Sequence, residues 1–217
     1  MVNPQYILIL AVIIVMAWFA IGVLYNLRRG DGLLKWMQAG LPDIGQRTTF
    51  RWLGTSVAEL VIAHAKKPFR SLETLLVLRP RDIFWMTILA YFQGRSDIVI
   101  FRAQLTTAPI TDFDLVDPQT WSGRNTISRL AERKWESKTY QGLQLMAPKG
   151  LLDLATMTLE RLAAPMEKLS PRYARFSLRR DKPNLEVHVP FPPYRVADAH
   201  KYFEALRELA RAVSERE

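Results

Sequence analysis

The chain has 217 residues and a mass of 25.0 kDa, enough for one or two domains. Its 30 Lys and Arg and 21 Asp and Glu all lie beyond Asn26, so an uncharged head precedes a body that carries the whole net charge of +9. With 49% hydrophobic residues, 10 Gly, 13 Pro and no Cys, the composition excludes disordered and collagen-like classes, a disulfide framework, thiolate catalysis and cysteine-ligated metals. No period of 20–50 residues marks a repeat protein.

The head, residues 6–25, is apolar without interruption, and about 20 residues at 1.5 Å each match a hydrocarbon core of about 30 Å. It reads as an uncleaved transmembrane helix, because a cleaved leader would show a positive start, a shorter apolar run and a small-residue cleavage site. Tyr6, Trp18 and Tyr25 suit interfacial positions. Arg28, Arg29 and Lys35 follow at once, so the positive-inside rule places the body in the cytoplasm and the short N-terminus outside or in a lumen. Gly22 has no partner glycine four residues away, and no helix-paired dimer is expected. The expected organisation is an anchor over 1–28, a juxtamembrane amphipathic segment over 29–45, and a cytoplasmic α+β domain over 46–217.

Residues 33–41 predict a separate amphipathic helix of two or three turns, begun after Gly-Asp-Gly and stopped by Gly40 and Pro42. Strand-like runs over 48–53, 57–63 and 72–78 suggest an antiparallel meander. Residues 83–92 are apolar on nearly every side and lead to a strand over 98–105. Ten apolar residues reach only about 15 Å and cannot cross a bilayer. The segment is therefore a core helix or an interfacial one, and the strand–helix–strand order favours core. Further on come a helix over 119–133, short strands over 137–140 and 143–146, and an amphipathic helix over 151–169 that Pro165 should kink or end. A hairpin over 173–178 and 185–189 with an exposed basic turn precedes a final helix over 196–213. These elements predict an α+β fold, mostly antiparallel sheet with helices packed on one side.

Chemical motifs are sparse. His64, His188 and His200 fall on different elements without metal-ligand spacing, and neither a P-loop, a GxGxxG nor a GxSxG motif is present, so neither a cofactor nor a resident metal is expected. Asp112 and Asp114 form a D-x-D pair able to hold a divalent cation if more oxygens converge. With Asp117 they more readily keep an edge strand solvated. The basic excess gathers at Lys66, Lys67, Arg70, Arg175, Arg179, Arg180 and Lys182. With Arg28, Arg29 and Lys35 these are candidate contacts to phosphates of anionic lipid or RNA, if they are not simply solvated; no signature of sequence-specific nucleic-acid reading accompanies them.

The anchor followed by an α+β body, the stretch 75–105 and the closing stretch 185–213 resemble the calumin family, single-pass proteins of the endoplasmic reticulum. The family pattern is a strand, a basic residue shortly before an aspartate, a short apolar helix, then Ser-Asp and an alternating strand; Arg79, Arg81, Asp82, Ser96 and Asp97 stand at the matching places. The resemblance covers about two thirds of the body. It implies a non-catalytic subunit of a membrane-protein insertion assembly, working with a small membrane partner (Asterix) beside the Sec translocon and the ribosome. Two departures limit it: the acidic lumenal segment associated with calcium is missing, and the final helix stops at Glu217 where the family continues into a charged coiled coil. The competing reading, from another class, is a membrane-tethered enzyme acting on a lipid or envelope precursor with a cation at Asp112 and Asp114.

Overall fold

The computed structural model describes residues 3–215, so the outermost positions of the sequence-derived limits, 1–2 and 216–217, lie outside it. A long helix α1 (Pro4–Ile44) leads into strands β1 (Gly45–Trp52), β2 (Val57–Ala65) and β3 (Phe69–Val77), the short helix α2 (Phe84–Phe92) and strand β4 (Ile98–Leu105). Then follow β5 (Phe113–Val116), α3 (Trp121–Glu132), β6 (Glu136–Tyr140), β7 (Leu143–Ala147), α4 (Leu152–Leu169), β8 (Arg175–Leu178), β9 (Leu185–Pro190) and α5 (Ala199–Ser214). All the strands form one sheet in the order β1-β2-β3-β4-β9-β8-β5-β7-β6, antiparallel at every pairing. The fold is α+β, as the sequence predicts.

The separate juxtamembrane helix expected over 33–41 is not formed; α1 runs unbroken through Gly30, Gly32 and Gly40 to Ile44. Its buried positions, Gly22, Asn26, Gly30, Leu33, Leu34, Met37, Gly40, Leu41 and Ile44, follow the three-and-four spacing of one helix face and make a stripe that faces the body. Each interior glycine costs a helix about 1 kcal/mol, whereas each buried Leu, Met or Ile of that stripe contributes about 1.5–3 kcal/mol, so packing outweighs propensity. Close approach in the body-facing half needs glycine at two places: a Cβ on Gly30 would overlap the Trp52 ring, and one on Gly40 would lie 2.7 Å from the Ala199 carbonyl oxygen. The candidate span and the body thus share one helix about 60 Å long.

The C-terminal half of α1 lies beside α5, and α5 beside α4, over one face of the sheet. Leu33, Met37, Leu159, Leu162, Phe203, Leu206 and Leu209 close a single core against Leu76, Phe101, Phe176 and Val187. Helix α4 passes through Pro165 and ends only at Leu169, so the proline does not end it; Leu162, Met166 and Leu169 on both sides of the proline are buried and hold the last turn in place. Helix α3 packs against β5 and β7, where Leu130, Val116 and Met146 are buried outside that core.

Candidate membrane-docking site

Where α1 leaves its apolar stretch, Asn26 is fully buried. A buried amide needs partners, and it has them: Nδ2 donates to the Arg79 carbonyl at 3.1 Å, and Oδ1 accepts from Arg81 Nη1 at 3.0 Å. Arg81 also grips Asp97 through two parallel bonds of 3.0 and 2.9 Å, the bidentate geometry in which guanidinium and carboxylate bind most strongly. Asp97 further accepts the Arg79 backbone N–H at 2.8 Å, and Arg29 Nε of α1 lies 2.6 Å away as an ion pair. The two guanidiniums cover rings as well, Arg81 over Tyr25 at 5.0 Å and Arg29 over Phe191 at 5.6 Å. Burial pushes the Asp97 carboxyl up, but Arg81, the Arg79 N–H and Arg29 together pull it down further, so it lies below its ordinary value. Gly22 completes the joint, since a Cβ there would collide with the Arg81 carbonyl. Asp82, nearly buried, accepts from the Thr55 hydroxyl at 2.7 Å and ties in the β1–β2 turn.

Arg79, Arg81, Asp82 and Asp97, which carry the family resemblance, therefore meet in one clamp between α1 and the end of the sheet; Ser96 is exposed beside it. Sequence reasoning missed Asn26 and dismissed Gly22. The signal was the four-residue spacing of Gly22, Asn26 and Gly30, whose partner is the body's own backbone and side chains rather than a second helix.

Helix α2 leaves this clamp and is not a core helix. Trp85, Tyr91 and Phe92 are 68%, 73% and 81% exposed, Phe84, Ile88 and Leu89 are also exposed, and only Ala90 is buried. The reason is topological. Strands β3 and β4 are antiparallel neighbours, so the segment joining them need not cross the sheet face as a parallel connection must; α2 caps the sheet end instead. The Thr87 hydroxyl sits 2.9 Å from the Pro80 carbonyl and 3.0 Å from that of Ile83 and is satisfied by the local backbone. The Phe84 ring stands edge-on to Trp18 of α1 at 5.1 Å. Trp18 is seven residues before Tyr25, about 10 Å along the helix, so α2 lies alongside the last two turns of the candidate membrane span. A patch this large and apolar, adjoining such a span, marks an interaction surface.

The basic residues grouped by the sequence separate into three sets. Arg28 and Lys35 are exposed on α1, whereas Arg29 belongs to the clamp. Lys66, Lys67 and Arg70 flank the β2–β3 turn, and Lys66 donates to the Pro42 carbonyl at 2.7 Å. Pro42 is 17 residues beyond Tyr25, about 25 Å along α1, so these cations lie at the far end of the body. The register, Phe69 opposite Leu105 and Ala103 opposite Leu185, brings Arg180 and Lys182 of the β8–β9 turn to that same end. They therefore lie well apart from Arg28 and the candidate span.

Arg175 and Arg179 are not exposed contacts at all. Arg175 reaches Asp114 at 2.9 Å and Glu186 at 3.1 Å; Arg179 pairs with the other Asp114 oxygen, donates to the Phe113 carbonyl at 3.0 Å and lies over the Trp135 ring. Glu186 also binds Arg102 at 3.0 Å and His188 at 2.7 Å. Burial pushes the Glu186 carboxyl up, but His188, Arg175 and Arg102 hold it down at about 2. The expectation for the aspartates changes accordingly. Strand β5 is flanked on both sides by β7 and β8, so it is no edge strand, and Asp114 is fully buried with both oxygens taken by guanidiniums. Asp112 caps the Arg180 N–H at 2.6 Å. No cation site forms from this pair, and among the described residues no cluster of three or more His, Asp or Glu is placed to hold a metal ion.

No protein-family model matches the chain, and no curated protein matches it.

Proposed function

We propose that this chain is a non-catalytic, single-pass membrane adaptor that assists membrane-protein insertion or folding beside a translocon. The observation that carries the reading is the joint between span and body. One continuous helix serves both, and the Asn26–Arg81–Asp97–Arg29 clamp fixes the sheet against it, so the body is held at a set height over the bilayer instead of swinging on a linker. Arg28, Arg29 and Lys35 just past the apolar stretch favour a cytoplasmic body, in the plasma membrane of a prokaryote or the endoplasmic reticulum of a eukaryote. Held so, the Lys66, Lys67, Arg70, Arg180 and Lys182 rim points away from lipid, where an anionic partner such as ribosomal RNA approaches. The resemblance to the calumin family agrees with this arrangement. The enzyme reading draws no support from Asp112 and Asp114, which are occupied by the protein's own groups.

The test is affinity purification of the full-length protein from gently solubilised membranes in low and high salt. Translocon or insertase subunits should remain bound, and ribosomes should be lost at high salt and in a Lys66→Glu, Lys67→Glu, Lys182→Glu variant. Fewer phosphate contacts should also flatten the dependence of log K on log salt by roughly 3 units of slope. Recovery of lipid- or envelope-synthesis enzymes without translocation machinery would overturn the proposal.

A further inference from the structure

The clamp does not balance its charges. It holds three guanidiniums, Arg29, Arg79 and Arg81, and two carboxylates, Asp82 and Asp97. Asp97 is shared by Arg81 and Arg29 and Asp82 accepts from Thr55, so three positive charges face two negative ones and one is left over. Arg79 makes its bonds through its backbone only: its guanidinium has neither a hydrogen bond nor an ion pair among the described residues, and its Nε is buried without any partner. Only Nε is withdrawn from water; the residue is half-buried, and the rest of its charged group is open to an anion that would complete it.

Arg79 lines a cleft of about 450 Å³ between α1 and α2, together with Trp18, Gly22, Tyr25, Thr87 and Tyr91. Arg81 lines it too but is already paired to Asp97, so Arg79 is the lining guanidinium left open in a groove of mainly aromatic and apolar side chains beside the candidate span. Height along α1 fixes what can reach it. The Arg79 carbonyl bonds Asn26, at the end of the apolar stretch, while Phe84 stands at Trp18, about 12 Å deeper along the helix. That vertical order, phosphate-binding group at the boundary and hydrocarbon-binding surface below it, is the order of parts in a phospholipid.

We propose that this cleft seats one acidic glycerophospholipid of the adjoining leaflet, with its phosphate on the Arg79 guanidinium and its acyl chains along the exposed face of α2. An acidic headgroup fits better than a zwitterionic one because the surplus here is a single positive charge, which a headgroup ammonium would repel. The proposal rests on α1 spanning a membrane, and it adds a second, shallow membrane contact by α2.

Because the chain contains no cysteine, single labels can be placed without background. The full-length protein is reconstituted in phosphatidylcholine vesicles containing phosphatidylglycerol, with an environment-sensitive dye on Trp85→Cys or, separately, on Ile14→Cys in the span. Nitroxide-labelled acyl chains should quench both dyes, the first by shallow labels most strongly. Quenching at position 14 but not at 85 refutes the lipid seat while leaving the span intact; quenching at neither position refutes the membrane reading itself. Lipid retained through detergent purification is then measured by native mass spectrometry. Arg79→Gln should lose phosphatidylglycerol at least fivefold with an unchanged thermal unfolding curve, and Arg28→Gln, an exposed cation one turn away, should lose less than twofold. Equal retention by the two variants, or retention of phosphatidylcholine in equal measure, overturns the assignment of Arg79.

Discussion

Replacing Asp97 by Ala should cost more stability than any other single loss of a carboxylate near the span. Its side chain is 2% exposed and receives two bonds from Arg81, one from the Arg79 N–H and the ion pair of Arg29. Removing one partner of a buried pair typically costs about 3–5 kcal/mol, because the other charge is left behind. Two features place this case at the lower end. Arg29 is 34% exposed and can rehydrate, and Arg81 keeps Asn26 Oδ1 and the Tyr25 ring. The expected loss is therefore about 3 kcal/mol, with Asp97→Asn intermediate because the amide preserves shape and one acceptor. Urea unfolding of the full-length protein in mild detergent measures the loss. Hydrogen exchange should show the 79–97 segment and the 26–33 turns of α1 deprotected together, since the clamp joins them. Asp112→Ala, which removes only a cap on the Arg180 N–H, serves as the control and should cost about 1 kcal/mol or less. A loss below about 1 kcal/mol at Asp97, or deprotection confined to one side of the joint, would refute the clamp as the element that fixes the body to the span.

Two glycines of α1 give opposite outcomes. Gly40→Ala should destabilise by about 1–2 kcal/mol despite the better helix propensity of alanine, because its Cβ meets the Ala199 carbonyl oxygen, a backbone atom that cannot step aside. Gly32→Ala meets only the half-buried Tyr194 ring at 3.1 Å and should be neutral or stabilising by up to about 1 kcal/mol; thermal melts that rank the two the other way would sink the packing account of α1. Glu186 titrates at about 2 in the folded chain against an ordinary 4.5, so its contribution is complete above pH 4.5 and is lost as pH falls from 4.5 toward 2. The stability gap between wild type and Glu186→Gln should thus shrink by about 2–3 kcal/mol across that window, and a gap that does not change with pH would count against the ion-pair ladder.

The sequence by itself determined the local elements. The apolar run over 6–25, the period-two strands, and the three-and-four spacing over 151–169 and 196–213 are properties of neighbouring residues, and they appear as the apolar part of α1, the strands and helices α4 and α5. Which face each element shows, and to what, was decided only by tertiary structure. Gly40 and Pro42 look like a helix end until Phe203, Ala199 and the core beneath them supply the burial that keeps α1 intact. Residues 83–92 are apolar enough for a core, and hydrophobicity alone cannot tell a core from a membrane surface; the antiparallel pairing of β3 with β4 is what leaves them outside. Asp114 and Arg175 stand 61 positions apart and Asn26 and Arg81 55 apart, yet each pair meets because strand order and the docking of α1 bring them together. Charge at a distance in sequence carries no sign of its partner, so the same arginines that read as a free basic surface were divided by the fold into a clamp, a buried ladder and a rim.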